Sequence, residues 1–119
     1  MVDDNNLNLL LVRALLDGAG YDLAEAGNAA QALEAIDRFK PHLMLLDIEL
    51  PDRTGLDLAR ELKANARTRD IVLVVLSAHA GPATEAAARA AGAEGFIGKP
   101  IEPGDFRHAV AGYLALARS

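Results

Sequence analysis

Residues 42–57, HLMLLDIELPDRTGLD, decide how this chain folds. Leu43-Met44-Leu45-Leu46 is an apolar run without alternation, so as a strand it is buried on both faces, as in a parallel sheet covered by helices. The run delivers Asp47 to a strand end that opens into a loop punctuated by Pro51 and Gly55. In open parallel sheets ligands sit at the carboxyl ends of the strands. Asp47 is therefore the candidate reactive group.

Outward from this stretch, apolar runs alternate with helix-period segments, the signature of βαβ units. Ile71 to Leu76, rich in β-branched residues, is the clearest further strand. Tyr21 to Ala26 and Glu94 to Gly98 read as the second and fifth strands, and Met1-Val2 as the tail of a first. The first helix is expected over Asn6 to Asp17, with a core stripe at Asn8, Leu11, Val12, Leu15, Leu16 and Ala19. Asn28 caps the second helix with Gln31 in capping-box position, and its stripe is Ala29, Ala32, Leu33 and Ile36. Gly55 to Asn65 gives the third helix, with Leu58, Ala59 and Leu62 inward. Gly81-Pro82 opens the fourth, nearly all alanine and so weakly anchored. Asp105 to Ala117 is the fifth, with Phe106, Val110, Tyr113 and Leu114 on one stripe.

The 119 residues suit one domain that buries a core without disulfides, and there is no cysteine. Thiol catalysis and thiolate metal sites are excluded. The net charge of -5 argues against general nucleic-acid binding, which needs clustered cations. No run is long enough to span a bilayer and no signal-peptide pattern is present, so a cytoplasmic protein is expected.

Set side by side, the strands end in Asp3-Asp4, Asp47, Ser77 and Lys99. Three carboxylates within about 5 Å of one another repel by roughly 3 kcal/mol per pair at an effective dielectric near 20, so a cation must share the site. Oxygen ligands without His or Cys suit a hard ion, Mg²⁺ first. His42, His79 and His108 are too dispersed for a metal cluster.

VDDN, LLDIELPDRTG, VVLSA and GFIGKP, in this order and spacing, resemble the receiver (CheY-like) domain of two-component response regulators, and the match covers residues 1–119 as one receiver domain. The resemblance implies a (βα)5 doubly wound α/β fold, flavodoxin-like, with strand order 2-1-3-4-5. It makes Asp47 the acceptor of a phosphoryl group from a phosphohistidine, with Mg²⁺ bound by Asp4, by Asp3 through water, by Asp47 and by the Glu49 backbone carbonyl. Lys99 and Ser77 would hold the phosphoryl oxygens, and Phe96 would turn inward as the switch. Glu49 and His79 occupy positions that tune how fast water attacks the acyl phosphate. A cis bond at Lys99-Pro100 is also implied. Such a domain catalyses its own phosphorylation and dephosphorylation without turning over an external substrate.

The partners implied are a sensor histidine kinase or histidine phosphotransfer protein, and a downstream protein read by the fourth helix, fifth strand and fifth helix. Leu7, Leu9 and Leu10 lie outside the core stripe of the first helix. They suit a half-buried shoulder, docking of the phosphodonor together with the loop after the fifth strand, or a homodimer.

One departure stands out. Receivers of this type place four or five apolar residues before the acidic pair, and here only Met1-Val2 stand there, so the first strand is expected to be truncated. A late start site, a fragment of a longer protein and strand exchange with another chain each account for it. No effector segment follows the fifth helix, which favours a stand-alone switch. The alternatives are a receiver cut from a hybrid histidine kinase or larger regulator, and a receiver-like interaction module that is not phosphorylated. An aspartyl-nucleophile phosphatase ranks below these, because it would want an aspartate where Glu49 stands and a cap domain.

Overall fold

The computed structural model describes residues 1–18, 20–78 and 81–117. Eight elements follow in the order α1 (Asn6–Leu16), α2 (Ala29–Phe39), β1 (Leu43–Asp47), α3 (Gly55–Ala64), β2 (Val72–Ser77), α4 (Pro82–Ala90), β3 (Gly95–Gly98) and α5 (Pro103–Ala117). The three strands form a parallel sheet in the order β1-β2-β3. Val2 extends it by one residue, bridging in parallel to Leu46 on one side and to Ala26 on the other. Across the sheet the chain thus runs through Ala26, Val2, β1, β2 and β3, which is the expected 2-1-3-4-5 order.

The apolar runs form buried strands because both of their faces are covered. Met44, Leu46, Leu73 and Val75 pack with Ile36 of α2, Leu58 and Leu62 of α3 and Ala88 of α4. Leu45, Val74 and Leu76 pack with Val12, Leu15 and Leu16 of α1 and Phe106 and Val110 of α5. Leu46, Leu73, Val74, Val75 and Leu76 are all 0 % exposed, and burial of each contributes on the order of 2 kcal/mol. A slip of one residue would exchange the two faces, so the register is strongly specified. It sets Asp47 opposite Leu76 and Ser77 opposite Gly98.

The structure corrects four expectations. Tyr21 to Ala26 does not form a strand beyond the Ala26 bridge. A strand needs a ladder, and Val2 offers it a single residue; past Val2 the chain segments part around a groove of about 260 Å³ lined by Leu9, Val12, Leu16, Tyr21 and Leu45. Leu11 is exposed rather than part of the core stripe. Asn8 turns towards the strand edge, as described below. Helix α5 begins at Pro103, two residues before Asp105, because proline fits a first helical turn that needs no N–H donor. Ala19 lies outside the described residues.

Candidate active site

The backbone first brings the acidic residues together. Val2 N–H donates to Leu45 O at 2.7 Å, Asp47 N–H donates to Val2 O at 2.9 Å, and Asp3 N–H donates to Ala26 O at 3.0 Å. One residue of ladder is thus enough to place Asp3 and Asp4 beside Asp47. One carboxylate oxygen from each of the three lies within 4.8 Å of the others. Asp3 and Asp47 are buried and Asp4 is exposed.

On the far side, Lys99 N–H donates to Ser77 O at 2.8 Å, which draws the residue after β3 against the end of β2. The Lys99-Pro100 bond is cis. Lys99 Nζ lies 3.0 Å from Asp3 Oδ2 and 3.2 Å from Asp47 Oδ2. Ser77 is buried at the same edge. The expected set Asp3, Asp4, Asp47, Ser77 and Lys99 therefore meets at the carboxyl ends of the strands, together with the Glu49 backbone.

The electrostatics follow from burial. Burial pushes the Asp47 carboxyl above its ordinary value of 3.8, and the neighbouring Asp3 charge adds to this, against the opposing pull of Lys99 and the Glu49 N–H. For Lys99, burial pulls the ammonium down, but its hydrogen bond to Asp3 and the charges of Asp47 and Asp3 outweigh that and raise it. Lys99 thus stays a cation, set between two carboxylates that repel each other.

Asp3 is nearly saturated. Its Oδ1 accepts from Asn5 N–H at 2.9 Å, and its Oδ2 accepts from Asn8 Nδ2 at 3.1 Å and from Lys99 Nζ. A carboxylate offers about four acceptor positions, so room is left for roughly one more donor, such as a water. Asp4 takes no hydrogen bond or ion pair among the described residues. An oxygen-only cluster with one free carboxylate, one nearly filled and one shared with a lysine fits a hard divalent cation.

Four contributors were not assigned from the sequence. Asn5 and Asn8 hold Asp3; the helical spacing had put Asn8 in the core stripe. Gly55 packs against the acceptor, since a Cβ there would fall 2.1 Å from Asp47 O. Asp52 caps a distant helix: its Oδ1 accepts from Ala29 N–H at 2.9 Å and its Oδ2 from Ala30 N–H at 3.0 Å. Of the modulating candidates, Glu49 is exposed and donates its N–H to Asp47 Oδ1 at 3.3 Å. Phe96 is half-buried against the core on the α2–α3–α4 side. His79 lies outside the described residues.

Known proteins resemble this chain in sequence and fold. The family model of the response regulator receiver domain matches residues 1–111. The polar-differentiation response regulator DivK of Brucella anthropi is 34% identical over 114 residues, 96% of this chain and 93% of that protein. The solved receiver domain of NtrX from Brucella abortus superposes with a TM-score of 0.86 at 31% identity, covering 96% of this chain and 95% of that one. The receiver domain of the sensor histidine kinase PA1611 from Pseudomonas aeruginosa, solved with a magnesium ion coordinated in its active site cleft, has a TM-score of 0.84 at 24% identity over 96% of this chain and 93% of that one. The chain, with its acidic strand edge and its covered parallel sheet, belongs to the response regulator receiver domain family of two-component signalling.

Proposed function

We propose that Asp47 accepts a phosphoryl group from a phosphohistidine and that the resulting acyl phosphate switches protein contacts. The observation that carries this is the placement of Lys99 between Asp3 and Asp47, beside three clustered carboxylates. In the transfer, an Asp47 carboxylate oxygen attacks phosphorus, the P–O bond forms, and the P–N bond breaks with its electron pair leaving on the imidazole nitrogen. Both partners are anionic, so cations must offset their repulsion.

Asp4 and Asp47 would hold Mg²⁺ directly, with the Glu49 carbonyl, and Asp3 through water; the magnesium in the Pseudomonas neighbour supports this choice. When bound, Mg²⁺ supplies charge neutralisation at the phosphoryl oxygens. Lys99, freed from part of its pairing with Asp47, would take one phosphoryl oxygen. The Ser77 hydroxyl would donate to another, drawing its loop inward, and Phe96 would follow towards the core. Glu49, two residues after the acceptor in sequence, and His79, two after Ser77, would set how readily water reaches phosphorus.

Residues 1–119 would work as one receiver unit in the cytoplasm, where phosphohistidine donors of this signalling class act. Among the described residues no helix is long and apolar enough to cross a membrane. The donor, a histidine kinase or phosphotransfer protein, would dock on α1, where Leu7 is 75% and Leu10 60% exposed with Leu9 half-buried beside them, and on the loop after β3. The surface of α4, β3 and α5 would meet the downstream protein.

Incubation with phosphoramidate and Mg²⁺ followed by intact-mass measurement tests the reading. One phosphoryl increment is expected on the natural chain and none on Asp47→Asn. A natural chain that takes no increment, or an Asp47→Asn variant that takes the same one, overturns it.

A further inference from the structure

Asp52 sits at the tip of the loop that follows Asp47, and Glu49 and Thr54 close that loop with an antiparallel bridge. The base of the loop is fixed: Ile48 N–H donates to Leu76 O at 3.2 Å and Gly55 N–H to Ile48 O at 2.6 Å. Its tip is tied to α2 by Asp52, whose two carboxylate oxygens take the N–H groups of Ala29 and Ala30, and to α3 by the Arg53–Glu61 ion pair at 2.9 Å. The Ala29 and Ala30 N–H groups are the first two donors of α2. The third helical residue, Gln31, is already served by its own cap, Asn28 Oδ1, at 2.8 Å.

Helix α2 therefore receives two caps, one local and one from 23 residues away. A local cap is ordinarily enough to start a helix. The distant one has a second effect, which falls on the loop. Ala29 is 0 % exposed and Ala32 and Ile36 are buried with it, so α2 is a firmly seated anchor. Glu49 sits at the closure of the loop opposite Thr54; its N–H meets Asp47 Oδ1, and the residue lines the cleft that holds Asp3, Asp4 and Asp47.

Resting on the proposed function above, we propose that Asp52 is a positioning residue of the acceptor site. It ties the loop to α2 and so holds the Glu49 backbone where Asp47 and a bound Mg²⁺ need it, while touching neither. An exposed carboxylate at the loop tip thereby sets the metal affinity of a site on the opposite side of that loop.

Two variants that uncap the same helix separate this role from ordinary helix capping. Asp52→Ala releases both α2 and the loop; Asn28→Ala releases α2 alone. Thermal melts should fall in both. Calorimetric titration with Mg²⁺ and the rate of phosphoramidate labelling should fall roughly tenfold in Asp52→Ala, the lower end of what outer partners of metal ligands contribute, and stay within about twofold in Asn28→Ala. Asp52→Asn, which keeps one acceptor oxygen, should lie between and serves as the measurement if Asp52→Ala does not fold. Asp52 variants that bind Mg²⁺ like the natural chain overturn the inference, as does an Asn28→Ala loss equal to that of Asp52→Ala. A natural chain that neither binds Mg²⁺ nor labels overturns the proposed function instead, and this inference with it.

Discussion

Lys99 Nζ and Asp3 Oδ2 stand 3.0 Å apart across 96 positions of sequence, and the Asp3 side chain is completely buried. The ammonium also serves Asp47, so one cation offsets two carboxylates whose oxygens lie within 4.8 Å. The site is under-neutralised without a metal. At about 5 Å and an effective dielectric near 20, each carboxylate pair repels by roughly 3 kcal/mol, of which Lys99 returns a part.

Removing one of those charges should therefore stabilise the metal-free protein. Asp47→Asn is expected to raise stability by about 1–3 kcal/mol at neutral pH in chelator, the residual repulsion after the Lys99 offset. Mg²⁺ should then raise the melting temperature of the natural chain and hardly move that of the variant, because binding to the folded state alone adds stability. Melting curves of both proteins with and without Mg²⁺ decide it; a variant less stable than the natural chain in chelator contradicts the repulsion argument.

Removing the cation should do the opposite. Lys99→Met leaves Asp3 buried with two neutral donors, and the expected loss is about 3 kcal/mol, the usual scale for an orphaned buried partner. The two effects share one network, so they are not additive. In the Lys99→Met, Asp47→Asn double variant much of the loss should return, since the remaining pair no longer repels. A double variant whose change in stability equals the sum of the single changes would falsify the coupling between these residues.

Two glycines that look alike in the sequence should behave in opposite ways. Gly55→Ala puts a methyl group 2.1 Å from Asp47 O, which only backbone movement relieves; the expected cost is about 3 kcal/mol, with loss of phosphoryl labelling because the acceptor is displaced. Gly112 lies within α5 and meets nothing within 4 Å. Gly112→Ala should raise stability by roughly 0.5–1 kcal/mol through helix propensity alone. Chemical denaturation of the two variants reads both signs.

Much of this was legible in the sequence, for reasons that differ from residue to residue. Leu43–Leu46 and Ile71–Leu76 announce themselves because strands covered on both faces must be apolar throughout, and their ends then locate Asp47 and Ser77. Tyr21–Ala26, with Asp22, Ala24 and Glu25, has weaker strand propensity and depends on a ladder from its neighbour, and Met1-Val2, visibly short in the sequence, supplies one residue of it. Asn8 falls on the helical period of Leu15 and Leu16, which points to the core; near the start of α1 the same face looks onto the strand edge. Asp52 is invisible to spacing rules, because it caps a helix 23 residues away instead of the one that follows it.

The Asp52 clamp also makes a prediction in pH. The backbone N–H of Ala29, chiefly, and that of Ala30 hold its carboxyl below the ordinary 3.8. A carboxyl with a depressed folded value binds fewer protons folded than unfolded, so its stabilisation is present above the unfolded value and is lost as pH falls through the folded one. The melting temperature of the natural chain should therefore exceed that of Asp52→Asn by a constant amount above about pH 5, and the gap should close as the solution is acidified below 3.8. The group is exposed, so added salt should narrow the gap at neutral pH as well. Paired melts from neutral pH to the acid limit of folding provide the measurement. A gap that stays constant through the acid range would mean that the amide's shape, and not the lost charge, separates the two proteins.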